Sequence, residues 1–481
     1  MKRPNILWIC TDQQRFDTLG CCGNPFVRTP NLDRLAQEGV LFDYAFCQNP
    51  VCTPSRASFL TGRYPRTTRC RQNGQSIPAD EVLVTKLLRD AGYSCGLSGK
   101  LHLAPLHPDV CRGVEARIDD GYEDFHWSPH ADPWQPANEY IQWLQAKGVT
   151  FERKERTDSR HVQTGMPAAL HQTTWCAEKA IDFMTARAKS DRPWLFSVNI
   201  FNPHHPFDPP ADLLDRYLAD LDRIGLPNYV EGELDKKPVF QQIDHRGAYS
   251  IPDYFAPRDM TDRDHRLVRA AYWAMIDLID LEVGRMLDAL KKTGQLDSTM
   301  VVFMSDHGEM LGDHGIYMKG PHFYDPALRV PLIVAWPARV KGSRRSEALV
   351  ELVDLAPTLL DAAGLERYPG MQGRSLWPLL AGEADLDTHR AEVYSECYNS
   401  QERSCEPKKA YATMVRTRRA KLVAFHGLEP GELYDLVKDP AETWNLWDDP
   451  VHLSLKAEML KRLSDRMAET VDPLPKRTAV W

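Results

Sequence analysis

At 481 residues the chain is longer than one compact core usually fills, so two domains are expected, one of them large. Its 43% hydrophobic and 26% charged residues are those of an ordinary globular protein. A net charge of −8 with no dense basic run excludes a nucleic-acid binder built on charge.

The N-terminus runs straight into Ile6-Leu-Trp-Ile-Cys10, an apolar run too short for a signal peptide and closed by Asp12. No stretch reaches the ~20 apolar residues of a membrane span. The 11 cysteines are odd in number and scattered, without the paired Cys-x-x-Cys spacing of a zinc site. Reduced thiols in the cytoplasm are the expectation, with no membrane or nucleic-acid partner.

Taken in order, Ile6–Cys10 reads as the first strand. Asn31 to Gly39 has a cap, apolar residues three and four apart and a glycine stop, the pattern of a helix. Asp80 to Ala91 repeats it, with Leu83, Leu87 and Leu88 on one face. Strands are expected at Ser94–Ser98, Trp194–Phe201, Met300–Ser305 and Pro331–Trp336, and helices at Trp175 to Ala188 and Asp264 to Lys292. Short apolar runs alternating with helices imply an α/β domain with a large, mostly parallel sheet flanked by helices. Two stretches, 105–165 and 202–260, are rich in Pro, Trp, His and charge without periodicity. Such segments in a compact domain usually form lids or pocket walls.

From about 376 the texture changes. Glu392–Glu396, Ala412–Arg416, Lys421–Phe425 and Glu432–Leu436 read as short strands, and His452 to Glu469 as an amphipathic helix. The expected division is a catalytic domain over 1–375 and a smaller α+β domain with a short antiparallel sheet over 376–481. The Pro-rich tail Val471–Trp481 is expected to be disordered or to dock on a neighbouring subunit of a homo-oligomer.

The most informative run is Asn49-Pro-Val-Cys-Thr-Pro-Ser-Arg-Ala-Ser-Phe-Leu-Thr-Gly62. Thr53 is a good N-cap, Pro54 suits the first helical position, and Gly62 supplies a left-handed stop. Cys52 then sits at the mouth of a short helix, where backbone N–H groups and the dipole favour an oxyanion. Arg56, one turn on, is placed to turn back to the same point. A helix start with a half-buried cysteine is the plainer account. The Cys-x-x-x-x-x-Arg cradle of thiol phosphatases is absent, because position 58 is Ser.

Four further polar clusters each follow an apolar strand: Asp12, then Lys100 with His102, then His204 with His205, then Asp306 with His307. Sites in doubly wound sheets assemble at the carboxyl ends of strands. Any one cluster is as well explained by a polar turn; four together with the helix mouth are not.

Cys-x-Pro-Ser-Arg followed by Ala-Ser-x-Leu-Thr-Gly resembles the signature of type I sulfatases, in the alkaline-phosphatase-like superfamily. The order of the elements follows that family through nearly the whole chain. The segment Lys421 to Leu446, with Glu-Leu-Tyr-Asp-Leu and Asp439-Pro-Ala-Glu-Thr-Trp-Asn-Leu, resembles its C-terminal subdomain. The resemblance implies that Cys52 is oxidised to formylglycine by a maturation enzyme, and that the hydrated aldehyde attacks the sulfur of a small sulfate ester.

It further implies a divalent cation held by Asp12, Gln13, Asp306, His307 and an oxygen of modified Cys52. Calcium is expected for an oxygen-rich set, with Mn²⁺ or Mg²⁺ as alternatives. Many relatives have a second acidic residue where Gln13 stands and Asn where His307 stands. Lys100, His102, His204 and Lys319 match sulfate-binding and proton-transfer positions, and Arg56 would hold the hydrate. Asn73 either contacts hydrate or substrate or serves a turn with Gly74. His205 reads as a structural neighbour of His204, while His314 and His322 have no assigned role.

Two other functions compete. Asp-Gln at 12–13 and Asp-His at 306–307 resemble the phosphonate or phosphate mono- and diester hydrolases of the superfamily, whereas Lys100-x-His102 resembles the sulfatases proper. A non-catalytic binding protein on this scaffold would not need every catalytic position filled.

Overall fold

The computed structural model describes residues 3–479. Its centre is a nine-stranded sheet built from β1 (Asn5–Thr11), β2 (Val40–Phe46), β3 (Ser94–Gly99), β4 (Asp124–Trp127), β7 (Trp194–Ile200), β8 (Thr299–Ser305), β9 (Arg329–Val330), β10 (Leu332–Ala335) and β11 (Arg344–Glu351). The remaining strands are a β5–β6 hairpin (Lys154–Arg156 and Ser159–Thr164) and a four-stranded antiparallel sheet. That second sheet comprises β12 (Val393–Tyr398), β13 (Tyr411–Arg416), β14 (Ala420–Phe425) and β15 (Glu432–Asp435).

The large sheet runs β11-β2-β10-β8-β1-β7-β3-β4, with β9 paired to β2. Only β9 and β10 run antiparallel to the rest. Its strands read as unbroken apolar runs because both faces are covered. Ile6, Trp8 and Cys10 face one core, under helices Cys52–Thr61, Val84–Asp90 and Leu355–Ala362. Leu7 and Ile9 face the other, under helices Gln172–Ala186 and Asp262–Lys292. The 31-residue helix Asp262–Lys292 starts two residues earlier than its pattern suggests, because Thr261 and Asp264 form a reciprocal capping box.

The helix expected from Asp80 begins only at Val84. Asp80 and Glu81 give their carboxylates to Arg69, and Glu81 also pairs with Arg63, so neither is free to serve a helix first turn. The two aperiodic stretches are not wholly irregular: they contain β4, the β5–β6 hairpin and the short helices Glu139–Ala146, Ala211–Leu218 and Val239–His245.

Helix Leu453–Glu469 lays Met459 and Leu463 on Val415, Leu422 and Leu433 of the small sheet. Beyond it the chain returns to the elements around the large sheet. Asp472 pairs with Arg63 at 2.8 Å, and Leu474 and Pro475 share a cleft with Tyr368 and Pro369. The expected tail disorder is therefore not found at these positions, and terminal Trp481 lies outside the described residues. All eleven cysteines are free thiols.

Candidate active site

β8, β1, β7 and β3 are adjacent and parallel, so their carboxyl ends open on one edge. Asp306, Asp12 and Lys100 directly follow their strands and are brought together by register, and a turn in which His204 N–H bonds Phe201 O at 3.2 Å brings His204 in after β7. At the end of β3, Gly99 (φ 101°) lies so close to β7 that a Cβ would stand 1.9 Å from the Asn199 carbonyl oxygen. Only glycine permits that approach, which lets Lys100 N–H bond Asn199 O at 3.1 Å. Gln13 (φ 69°) and His102 (φ 58°) turn the chain sharply just after β1 and β3. Left-handed residues other than glycine cost about 1–3 kcal/mol and persist where surroundings impose them. Gln13 is pinned by its N–H to Asp306 Oδ1 (3.0 Å) and by Tyr272 Oη–H to its carbonyl (2.5 Å).

Cys52 is the first residue of helix Cys52–Thr61, capped by the extended backbone of Val51 and not by Thr53, whose hydroxyl has no partner. Thr53 does not cap because the helix already begins at Cys52, which puts Thr53 inside the first turn, where Asn73 Oδ1 from another loop accepts its N–H at 3.0 Å. Asn73 thereby serves the helix and does not point its side-chain oxygen at a substrate. Gly62 (φ 69°) ends the helix as its sequence predicts. Trp8 and Phe59 meet at 5.5 Å between ring centroids, seating the helix on the strand that carries Asp12.

Cys52 is 1% exposed, and four side chains converge on its Sγ. His307 Nε2 and Lys319 Nζ stand at 3.1 Å, Lys100 Nζ at 3.6 Å and Asp12 Oδ1 at 3.7 Å. Lys319 reaches it from the 313–320 loop. Burial and Asp12 push the Cys52 thiol up, yet Lys100, Lys319 and His307 outweigh them and bring it down to about 7. Burial also opposes ionisation of Asp12, and the charges of Lys100 and Arg56 nonetheless hold its carboxyl well below the usual range.

Arg56 differs from expectation. Its guanidinium spans Asp306 Oδ2 (2.9 Å), Asp12 Oδ2 (3.1 Å) and the Lys100 carbonyl (2.7 Å), and makes no hydrogen bond to Cys52. Two carboxylates outcompete a thiol for a buried fork. His102 shows no hydrogen bond to Cys52 either. Its Nδ1 is buried without a partner, and burial together with Lys100 holds the ring neutral, well below the usual histidine range. His204 presents Nε2 to Lys319 Nζ at 2.8 Å and Nδ1 to the His205 carbonyl at 2.6 Å. Burial and Lys319 likewise keep His204 neutral. His205 stacks on it at 4.1 Å.

Asp12, Cys52, Asp306 and His307 place one donor atom each within 4.8 Å of one another, all buried. The set suits a cation: burial disfavours charge on His307, yet Asp306 and the Cys52 sulfur raise its pKa, so the pocket draws positive charge to that point. Gln13, expected among the metal ligands, instead accepts from Lys319 Nζ at Oε1 (2.6 Å) and donates Nε2 to Glu309. That carboxylate, like Glu115, was not read from the sequence. Glu309 lies three residues past Asp306 on the same strand exit, a position that could have flagged it. Glu115 accepts the N–H groups of His102 and Leu103 at 3.0 and 2.9 Å, and nothing in its aperiodic surroundings marks it. His314 pairs with Glu233 and His322 with Asp244, and neither is among the side chains that contact Cys52 Sγ.

A sulfatase family model matches residues 4–365, and that of the N-sulphoglucosamine sulphohydrolase C-terminal region matches 312–469. The chain belongs to the sulfatase family. This family member is 30% identical to a choline-sulfatase of Rhizobium meliloti (strain 1021), over 93% of this chain and 83% of that one. It is 29% identical to an arylsulfatase of Clostridium perfringens, over 92% and 90%. Among solved structures it resembles a phosphonate monoester hydrolase of Agrobacterium radiobacter, with TM-score 0.83, 27% identity, and 100% and 98% coverage. This sulfatase is thus a sulfuric ester hydrolase in the alkaline-phosphatase-like superfamily.

Proposed function

We propose that the chain cleaves small sulfate esters at residue 52, after a maturation enzyme converts Cys52 to formylglycine. The observation that carries this reading is the convergence of Lys100, Lys319, His307 and Asp12 on Cys52 Sγ at a helix mouth. Hydrated formylglycine supplies one hydroxyl to attack sulfur and a second, on the same carbon, whose loss of a proton expels sulfate. Asp12, Asp306 and His307 would hold a divalent cation, calcium by the predominance of oxygen donors, which supplies anion stabilisation at the nucleophile.

The remaining chemistry belongs to side chains in place. Around the nucleophile, Arg56, Lys100 and Lys319 set three cations against Asp12 and Asp306. This local excess draws a sulfate ester into a protein whose net charge is −8. Lys100 faces the transferred group. Lys319 stands on the side of His204, where a departing oxygen gains charge, and a positioned cation there is worth about 10²–10³ in rate. Because His204 is neutral, its Nε2 accepts from the Lys319 ammonium: His204 aims the cation, and Lys319 donates. His102, also neutral and with a free buried nitrogen, is the base for the second hydroxyl's proton.

Phosphonate monoester hydrolysis is a second reading, favoured by the TM-score of 0.83 and by Asp-Gln at 12–13 with Asp-His at 306–307. Turnover of nitrophenyl sulfate against nitrophenyl phenylphosphonate decides between them. A higher kcat/KM on the sulfate is expected; a higher value on the phosphonate overturns the sulfatase assignment.

A further inference from the structure

Three segments meet on one buried carboxylate that the chemistry above does not use. Asp244 Oδ2 lies 2.8 Å from His322 Nε2, and both residues are 1% exposed or less. Arg403 donates Nη2 to Oδ1 at 2.7 Å and Nη1 to Oδ2 at 3.1 Å, and the Ser250 N–H donates to Oδ1 at 3.0 Å. Burial works against charge on Asp244, but His322 and Arg403 keep its carboxyl below the ordinary range.

Each segment ends at the active site. His322 follows Lys319 by three residues, and Gly320 between them is pressed onto the pair. A Cβ there would stand 3.0 Å from His322 Nε2 and 3.3 Å from Asp244 Oδ2. Ser250 follows Tyr249, whose ring lies 5.6 Å from that of His205. Arg403 follows Ser400, whose carbonyl accepts the Asn73 N–H at 2.9 Å, and Asn73 caps the helix of Cys52.

The Ser250 segment is strained. Tyr249, Ser250, Asp253 and Phe255 all have φ between 46° and 63°. Such a run survives only where its surroundings over-determine it. Here they do so through Asp244 and through Ser404, whose N–H donates to Ser250 Oγ at 2.9 Å and whose hydroxyl donates to the Ser250 carbonyl at 2.5 Å.

We propose that Asp244 is a positioning residue for the leaving-group side of the site, setting Lys319 through His322 and Tyr249 through Ser250. This rests on the reading of Lys319 as the cation at the departing oxygen. Poor leaving groups, alkyl or sugar alkoxides, depend on that placement, whereas a nitrophenolate does not.

Replacing Asp244 itself leaves the Arg403 guanidinium buried and unpaired, so Asp244→Asn risks failing to fold. His322→Leu cuts only the arm to Lys319, and His322→Gln keeps an amide donor where Nε2 stands. Expected for His322→Leu is a loss of kcat on an alkyl sulfate about tenfold greater than on nitrophenyl sulfate. His322→Gln should recover most of it, and His322→Leu should add little in a Lys319→Ala background. A crystal structure of His322→Leu should show Lys319 Nζ displaced from its 3.1 Å approach to residue 52. Equal losses across leaving groups, additive losses with Lys319→Ala, or an unmoved Lys319 each overturn the proposal. The parent's preference between sulfate and phosphonate tests the reading beneath it separately, and the displacement of Lys319 is read without turnover.

Discussion

Lys319 Nζ stands 2.8 Å from His204 Nε2 and 3.1 Å from Cys52 Sγ, so one ammonium bridges the nucleophile's position and a neutral imidazole. The contact orders the two residues chemically: the lysine carries the charge and the histidine directs it. Lys319→Ala should therefore slow alkyl and sugar sulfates by about 10²–10³ and nitrophenyl sulfate far less. His204→Ala should show the same trend more weakly. Rates across a series of leaving groups check this; equal losses would place both residues in ground-state sulfate binding.

Asp12 and Asp306 share Arg56 and approach His307 at 3.8 and 3.7 Å. Removing one carboxylate leaves a buried guanidinium half-paired and would leave the proposed cation short of a ligand. Asp306→Ala and thorough chelation should each lower turnover by about 10³ or more, since such cation stabilisation is worth several kcal/mol. Calcium should restore the chelated parent and not the variant. Elemental analysis beside the assay checks the outcome; full activity without metal would remove this assignment.

Acid sensitivity has a marker far from the chemistry. His171 caps helix Gln172–Ala186, its Nδ1 accepting the Thr173 N–H, and burial followed by Arg153 depresses its pKa from 6.5 to about 4. Between those values the unfolded chain binds a proton that the folded chain refuses, so stability is lost as pH falls from 6.5 toward 4. His171→Asn keeps a capping oxygen and does not titrate. Its Tm should fall less steeply than the parent's over that interval, as calorimetry at several pH values would show.

Much of this site could be read before its geometry, for a simple reason. Parallel strands covered on both faces are apolar throughout, so the polar residue at each exit, Asp12, Lys100, His204 or Asp306, stands out. Which partner each side chain chooses depends on neighbours far apart in sequence. Arg56 looked free to turn toward Cys52, but Asp12 and Asp306, 44 and 250 residues away, hold it. Asn73 looked like a turn residue or a substrate contact, yet its oxygen caps a helix 20 residues upstream. Strands β2 and β11 went unread because Asp43, Arg344 and Glu347 interrupt their apolar pattern near the edge of the sheet. Asp80 and Glu81 resembled a helix start until Arg63 and Arg69 claimed them.

Serine at position 52 would keep an oxygen nucleophile beside Lys100 and Lys319 without a second hydroxyl on the same carbon. Cys52→Ser should attack sulfur slowly and then stall, releasing at most one leaving group per site and retaining covalent sulfate. Intact mass after incubation with nitrophenyl sulfate reads the adduct directly. Repeated turnover near the parent's rate would contradict the role given to the paired hydroxyls.

On the proposed chemistry the working nucleophile at position 52 is an oxygen of formylglycine hydrate and not the encoded thiol. Peptide mass spectrometry of residue 52, on preparations converted to different extents and assayed in parallel, distinguishes the two. Sulfatase activity per mole is predicted to rise in proportion to the fraction carrying the aldehyde or its hydrate, and to vanish when only thiol is found. Full activity from protein whose residue 52 is entirely cysteine would contradict the account.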